Sequence, residues 1–511
     1  MPQTESGSKQ DETPYLVRGL GLTDATMIVM GSMIGSGIFI TSAESSKLVG
    51  APGWLLVAWG LAGLMTLTGA LCCAELAAML PRAGGQYIFL QEAYGRLVGF
   101  LFGWATFLVV QTGTIAAVSV AFARFLGVFT PLVSDSRYLI APKALGGYAL
   151  SLSTQQLTAL ILIVGLTITN MQGLRLGSLI QNTFTFTKTA ALLGLIVVGL
   201  TVGINRESAA WTSSWWDPSA NGWDPSKVQE GLTLTGGAAL ALLLGKAMIG
   251  PLFSQSAWNN VTFTGGETRD PGKTLPRALM LGCGSVVLLY LMANVAYVVA
   301  LPLDQIQNAE QSRVGTALMQ SALGNIGTYL MAGAILISTF GCVNGLTLAG
   351  ARVFYAMAND GLFFAKAGTT NSKHVPAAAL MTQGLWASFL VLPVTVGTDP
   401  VTGLVKYGNL YNQLLDYIIP VDVMFYALMV GAVVVLRSKL PMMERPYRTF
   451  AYPLPTLIYL SLAILLVADF IWLAPGTSGI GFLIVLAGIP VYLVWSRNAA
   501  ARSIKQTVAE P

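Results

Sequence analysis

The chain has 511 residues, 54% of them hydrophobic and only 10% charged, with a mean hydropathy of +0.66 and a formal net charge of +5. Soluble domains carry about 25% charged residues, so the composition excludes a soluble globular protein and places the chain in a bilayer as one polytopic bundle. The basic residues lie in separate short loops rather than in one patch, which excludes a nucleic-acid partner.

Residues 1–20 are polar, contain Glu5, Asp11 and Glu12, and lack a basic stretch followed by an apolar one. They read as a cytoplasmic tail rather than a cleavable signal peptide. The first hydrophobic segment, about 22–49, is long enough to cross a bilayer, yet it carries Gly31-Ser-Met-Ile-Gly-Ser-Gly-Ile-Phe39 at its centre. Each glycine costs a helix interior about 0.8–1 kcal/mol, so the run predicts an interrupted helix. Backbone groups freed at membrane depth are tolerated only inside protein or beside a water-filled cavity, which turns the break towards a ligand. The plainer alternative is a small-residue face for close helix packing.

Eleven further segments follow, at about 54–80, 97–125, 154–173, 176–203, 236–267, 277–301, 324–357, 376–397, 403–436, 453–474 and 479–497. With the N-terminus in the cytoplasm, the cytoplasmic ends and loops hold eighteen basic residues. The opposite loops hold six: Arg137, Lys143, Arg206, Lys227, Arg313 and Lys406. That bias puts both termini, including the polar tail 498–511, in the cytoplasm. Ahead of segment three, Gly84-Gly-Gln-Tyr-Ile-Phe-Leu-Gln-Glu-Ala-Tyr94 predicts a short amphipathic helix. All four cysteines (Cys72, Cys73, Cys283, Cys342) fall in hydrophobic segments without metal-ligand spacing, and the single histidine, His374, stands in a basic loop beside Lys373. No metal, cofactor or acid–base enzyme chemistry is expected of such a set.

Lys188 sits about mid-depth in segment five, within Thr183-Phe-Thr-Phe-Thr-Lys-Thr-Ala-Ala-Leu192. A charge at the bilayer centre costs about 2.5–3.5 kcal/mol on insertion scales, so it should face the interior and have partners; snorkelling is the alternative. The outer loop 204–235 holds Trp211, Trp215, Trp216 and Trp223, the last two in a small duplication, Trp216-Asp-Pro-Ser and Trp223-Asp-Pro-Ser. It reads either as interfacial tryptophan or as a lid over an outer vestibule. Lys246 lies in the outer half of segment six, where its stem can snorkel to the vestibule.

Segment six repeats the anomaly of segment one: Gly250-Pro-Leu-Phe-Ser-Gln-Ser-Ala-Trp258 places glycine, proline and polar residues at mid-membrane depth. Pro251 lacks a backbone donor and clashes with the preceding turn, so a break close to it is expected. Paired interruptions at corresponding positions of two five-helix halves point to an inverted-repeat transporter with a midplane site. The second half of segment one, starting near Gly35–Ile38, presents unpaired N–H groups and a positive dipole end that favour a carboxylate. The first half of segment six, ending near Leu252–Ser254, presents carbonyls that favour an ammonium. A ligand with both groups on adjacent atoms is an α-amino acid.

Gly31–Phe39, Ala74-Glu-Leu76, Pro81-Arg-Ala-Gly-Gly-Gln-Tyr87 and Leu252-Phe-Ser-Gln-Ser-Ala-Trp-Asn259 together resemble the amino acid–polyamine–organocation superfamily. Within it they are most similar to the L-type amino acid transporters and bacterial serine/threonine-exchanger-like permeases. Glu267-x3-Pro271-x3-Leu275-Pro-Arg-Ala278, Tyr290-x3-Asn294-Val-Ala-Tyr297, Phe340-Gly-Cys-Val-Asn-Gly345 with Arg352, and Arg445-Pro-Tyr-Arg448 extend the resemblance in collinear order over about residues 18–460. It implies an all-α fold of twelve transmembrane helices in a five-plus-five inverted repeat, with helices one and six broken. The repeats would be 21–203 and 236–436, followed by helices eleven and twelve in 437–497.

The resemblance also implies roles. Backbone amides at Gly35, Ser36, Gly37 and Ile38 would hold the substrate carboxylate. Carbonyls near Ile34 and from Phe253 through Ser254 to Ser256 would hold its amine. Phe253 would gate the site from outside, and Asn259 would support the unwound turn and touch the ligand; ordinary packing is the alternative for both. Lys188 would take the place of the sodium ion of coupled relatives, joining segment five to the break of segment one and to the segment-eight hydroxyl Ser338. That implies sodium-independent transport, by exchange or with a proton. Glu75 and Glu267 are candidates for ion pairs with Arg82 or Arg352 at an inner gate, or for solvated surface charge. Asp416, Asp422 and Asp469 have no partner assignable from sequence. Animal relatives bond a heavy chain through a cysteine in the loop that corresponds to 126–153, which holds none here, so no disulfide-linked heavy chain is expected.

The expectation is therefore a permease of the plasma membrane (the inner membrane of a bacterium) that moves α-amino acids by alternating access. Small or polar residues at Ser254, Gln255, Ser256 and Ala257 favour neutral substrates. The rival is an amino-acid-binding receptor that signals through its tails, which here are short; an enzyme lacks a visible nucleophile–base pair.

Overall fold

The computed structural model describes residues 19–509 except 83, 146, 173, 230–231, 374, 399–404, 409 and 474; His374 and the N-terminal tail to residue 18 lie outside the described residues. The chain forms a mostly helical bundle. Segment one is two helices, α1 (Leu22–Met33) and α2 (Gly37–Val49), bent by 41° across Ile34-Gly35-Ser36. The bend falls inside the glycine–serine run, as expected. Gly50, with φ of +64°, ends α2 in the left-handed conformation that glycine adopts without strain.

Next come α3 (Pro52–Met79), the short α4 (Gln86–Tyr94), and a third span in which α5 (Arg96–Ala105) joins α6 (Gln111–Leu126) through a π-helical turn at Thr106–Val110. The predicted amphipathic helix is α4, and it buries Tyr87, Phe89 and Leu90. α7 (Thr154–Met171) and α8 (Leu174–Leu200) complete the first half.

The second half opens with α9 (Gly236–Ala247) and α10 (Ile249–Ser254), which together form one apolar span. An irregular turn at 255–259 follows, then α11 (Asn260–Phe263). After them come α12 (Pro271–Ala300), α13 (Val314–Asn359, kinked at Gly324), α14 (Ala377–Leu390), α15 (Leu410–Lys439), α16 (Leu454–Leu473) and α17 (Pro475–Ala509). The stretch from 498, read as a polar tail, thus continues the last helix to Ala509.

Among the described residues, nine helices are long and apolar enough to span a membrane, ten when α1 and α2 count as one bent span. The protein is an integral membrane protein.

The fold is not all-α. Strands β1 (Tyr138–Leu145) and β2 (Tyr148–Ser153), in the connection after α6, pair antiparallel; β3 (Pro393–Thr398) and β4 (Val405–Tyr407) extend them to a four-stranded sheet. The expected segments at 376–397 and 403–436 are shortened accordingly, because the helix stops before Pro393. In the β-branched run Val394-Thr-Val396, Val394 and Thr395 then find ladder partners on β2 and Val396 on β4 rather than continuing a helix.

The tryptophan-rich loop is strapped down. Trp223 Nε1 donates to Leu48 O (3.1 Å), Asn221 Nδ2 to Gly50 O (3.1 Å), and Trp54 Nε1 to Trp216 O (3.1 Å). Gly50 and Gly53 leave room for the Trp223, Trp215 and Trp216 side chains or backbone against the α2–α3 turn. Trp211 and Trp216 remain exposed. The loop therefore covers the turn that joins segments one and two.

Candidate substrate site at the two helix breaks

The site is built where the breaks of segments one and six meet. Gly37, the first residue of α2, lies so close to Ser254, the last of α10, that a Cβ on Gly37 would fall 2.8 Å from Ser254 Cβ and 2.9 Å from its Cα. Carbon atoms pack at about 3.5–4.0 Å, so only glycine permits this approach. Thr41 Oγ1 donates to Gly37 O (3.0 Å) and lies 3.3 Å from Ser254 Oγ, which donates in turn to Gly250 O (2.8 Å).

Each break leaves backbone groups without intrahelical partners. The N–H groups of Ser36, Gly37 and Ile38 meet no acceptor among the described residues. The carbonyls of Leu252 and Ser254 meet no donor among the described residues. Donors at a helix N-terminus thus stand beside acceptors at a helix C-terminus, the polarity that a zwitterion needs.

The other carbonyls of segment one are taken by side chains. Lys188, 1% exposed, donates from Nζ to Gly31 O. Tyr290 OH donates to Met33 O (2.9 Å), Ser338 Oγ to Ile34 O and Gly35 O (3.3 and 3.4 Å), and Tyr297 OH to Ile38 O (3.1 Å). Lys188 and Ser338 thus both fasten the break, on different carbonyls; no direct bond joins them. Ile34 O, expected to face an amine, already accepts from Ser338. Tyr290, Asn294 and Tyr297 work together, since Asn294 Oδ1 also accepts from Ser42 Oγ (2.7 Å). Their i, i+4, i+7 spacing on α12 puts all three on one helix face towards segment one. That spacing was visible in the sequence, and its target was not.

Segment six shows the same economy. Pro251 has no N–H to give Ala247 O, and that carbonyl accepts from Ser45 Oγ of α2 instead (2.8 Å). The helix ends at Ser254, within the Leu252–Ser254 stretch expected for its end, and opens at Gln255. Phe253 O accepts from the N–H and the hydroxyl of Ser256 (3.2 and 3.0 Å). Ala257 takes φ of +65°, and its N–H donates to Tyr426 OH (3.2 Å). Tyr426 OH donates to Asn259 Oδ1 (2.9 Å), Asn259 Nδ2 to Gln86 Oε1 (2.6 Å), and Gln86 Nε2 to Phe425 O (3.1 Å). Trp258 stacks on Tyr426 with centroids 4.8 Å apart. Asn259 is therefore a strut of the turn, tying it to α4 and α15. Phe253 meets Tyr411 edge-on at 6.0 Å, and Tyr411 OH lies 3.1 Å from Ser36 Oγ. These two aromatic rings bridge the breaks.

Towards the tryptophan-loop end, a cavity of about 110 Å³ is lined by Thr41, Glu44, Lys246, Gly250, Asn412 and Asp416 among others. Lys246, one of its lining residues, donates to Gln229 of the tryptophan-rich loop. At the other end, Glu267 and Arg352 form a bidentate pair, both bonds 3.0 Å, with side chains 14% and 16% exposed. Gly19 N and Leu20 N donate to Glu267 O (2.9 and 3.0 Å), latching the start of the described chain across that pair.

Glu75 does not pair with Arg82, which meets Glu92 on the surface instead. Its carboxylate accepts from Arg437 (2.9 and 2.7 Å) and from the N–H and hydroxyl of Thr449 (2.7 and 2.8 Å), with Arg445 at 3.5 Å. Glu75 thus anchors the segment after α15, and the Arg445-Pro-Tyr-Arg448 motif serves that anchor. Arg82 and Arg437 are equally plausible from sequence because only tertiary packing brings α15 to α3.

Among the described residues, no group of three histidine, cysteine or carboxylate side chains could hold a metal, and the four cysteines are buried thiols.

Comparison with known proteins shows similarity along most of the chain. The family model described as amino acid permease matches residues 20–495. Large neutral amino acids transporter small subunit 2 of Homo sapiens is 29% identical over 480 residues, covering 94% of this chain and 80% of the relative. Asc-type amino acid transporter 1 of Mus musculus is 29% identical over 490 residues, 94% of this chain and 82% of the relative. The b(0,+)-type amino acid transporter 1 of Homo sapiens is 25% identical over 491 residues, 96% and 90% of the two chains.

Proposed function

From the premise that the chain belongs to the amino acid permease family, we propose that it is a sodium-independent carrier of neutral α-amino acids, working by alternating access as an exchanger or with a proton. The observation that carries this reading is the meeting of free N–H groups at Ser36, Gly37 and Ile38 with the free carbonyls of Leu252 and Ser254. The first set receives the substrate carboxylate and the second its ammonium, so the backbone reads what all α-amino acids share. The relatives named for large neutral, Asc-type and b(0,+)-type amino acid transport support an amino acid substrate.

Sodium independence rests on Lys188. Its ammonium already occupies the carbonyl side of the segment-one break, where a bound cation would otherwise be needed. The neutral preference rests on the small or polar residues Ser254, Gln255, Ser256 and Ala257 at the segment-six turn. Phe253 with Tyr411 is the outer lid of the site, and the Glu267–Arg352 pair is the inner gate. Twelve membrane crossings in a five-plus-five inverted repeat, with both termini in the cytoplasm at the plasma membrane, complete the proposal. They accord with the paired breaks and the basic-residue bias.

The human relative is named a small subunit. Here the loop 126–153 has no cysteine and the four cysteines of the chain are buried, so we expect it to work without a disulfide-linked heavy chain.

Uptake of labelled serine, alanine, leucine and arginine into proteoliposomes, with and without internal amino acid, sodium and a pH gradient, tests the reading. The expected result is uptake of the neutral amino acids, unchanged by sodium and stimulated by internal amino acid or by a proton gradient. Uptake of arginine alone, or strict sodium dependence, refutes it.

A further inference from the structure

Behind the segment-six turn, on the side facing α3, α15 and α16, lies a second cavity of about 20 Å³, walled by Thr66, Gln255, Ser256, Asp422, Tyr426 and Tyr459 among others. Asp422 is 8% exposed, and no hydrogen-bond donor or cation among the described residues reaches its carboxyl group. Gln255 is 1% exposed; its Nε2 donates to Trp59 O (3.3 Å) while its Oε1 is buried without a donor. Asp422, which can only accept when ionised, and Gln255, whose Oε1 has no donor, thus line one small cavity.

The groups on each element around Asp422 supply no positive charge. α3 contributes Thr66, the turn Gln255 and Ser256, α16 Tyr459, and α15 itself Tyr426, whose hydroxyl is already given to Asn259. The embedded lysine of segment six lies near Asp416 and Asp469 instead. An unpaired carboxylate held at membrane depth costs several kcal/mol, and a carboxylic acid that donates to an amide oxygen avoids that cost. The volume decides the ligand: one water needs about 10–15 Å³, so the cavity admits a single water and excludes an ammonium or guanidinium side chain.

We propose that Asp422 is a proton-binding site set against the segment-six turn, loaded in the conformation seen here and emptied when the turn moves. The proton makes Asp422 a donor to Gln255 Oε1, directly or through one water. Gln255 opens the turn whose other end carries Asn259, so displacement of the turn by an amino acid separates donor from acceptor and exposes the carboxyl group. Resting on the transporter reading, this makes amino acid movement and proton release one event, and it assigns the proton to segment ten rather than to Lys188.

The test uses the full-length protein in nanodiscs and proteoliposomes. Infrared difference spectra should show a protonated-carboxyl C=O band that is lost in Asp422→Asn, retained in Asp469→Asn (whose parent carboxyl is also buried without hydrogen bonds), and shifted or lost when alanine is added. Amino acid exchange by Asp422→Asn should continue but lose the pH dependence of the parent protein. A band unchanged in Asp422→Asn, or an unchanged pH profile of exchange, overturns the proposal. A parent protein that shows the Asp422 band and its response to alanine but transports nothing supports the proton site and refutes the transport reading.

Discussion

Gly37→Ala is the most direct perturbation of the contact on which the site depends. In an unconstrained first helical turn alanine is favoured over glycine by up to about 1 kcal/mol, so propensity alone predicts a neutral or stabilising change. The structure predicts the opposite sign. The new methyl group would fall 2.8 Å from Ser254 Cβ and 2.9 Å from Ser254 Cα, and closer still to its hydroxyl. These distances are about 0.6–1.2 Å inside ordinary carbon contact. Overpacking of this kind costs about 1–3 kcal/mol. Relief requires α2 and α10 to separate, and the two halves of the zwitterion site part with them. Where the cost falls on the closed site alone, it lowers transport about 5- to 150-fold. The assay is the initial rate of amino acid uptake in proteoliposomes, normalised to reconstituted protein and paired with thermal unfolding in detergent. Ser254→Gly removes the Cβ and hydroxyl from the clash but leaves the Cα, so Gly37→Ala/Ser254→Gly should recover part of the lost rate when compared with Ser254→Gly alone. Parental uptake by Gly37→Ala, or a double variant no better than the product of the two single ones, refutes the reasoning.

Two other changes separate charge from packing. Lys188→Met keeps an apolar stem but leaves Gly31 O without its donor, a loss of about 1–3 kcal/mol; thermal stability should fall and uptake drop to background, and uptake at the parental rate would remove Lys188 from the site. Glu267→Gln leaves Arg352 without its bidentate partner in a largely buried position, at a cost of about 1–3 kcal/mol after allowance for solvent, so the gate should open more readily. The exchanged pair Glu267→Arg/Arg352→Glu should restore part of the function. A cysteine placed at the gate should react faster with a membrane-impermeant thiol reagent in Glu267→Gln than in the parent, and equal rates would show that the pair is not a gate.

Much of the architecture can be read from the chain because bilayer physics acts locally. Length, hydropathy and the cost of exposed backbone in lipid mark Gly31–Phe39 and Gly250–Trp258 as interruptions, whatever surrounds them. The same cost marks Lys188 as a residue that needs an interior partner, and the spacing of Tyr290, Asn294 and Tyr297 marks a shared helix face. What a residue meets across the bundle depends on packing between segments hundreds of residues apart. Glu75 can be read from the chain as either an ion-pair partner or a solvated surface charge, and only the approach of α15 and the following loop buries it and gives it Arg437 and Thr449 rather than Arg82. The stretch 393–398 is apolar enough to pass for the end of a helix, until β2 offers it a ladder. Asp422 is unremarkable along segment ten, and only its place beside Gln255, in a cavity too small for more than one water, makes it a proton site. The sequence by itself determined that the chain spans the membrane and where its helices break, because these follow from local backbone chemistry. Which side chains close the breaks, pin the gates and face the small cavity was decided by tertiary structure alone, because hydrogen bonds and burial are properties of pairs that the linear order does not bring together.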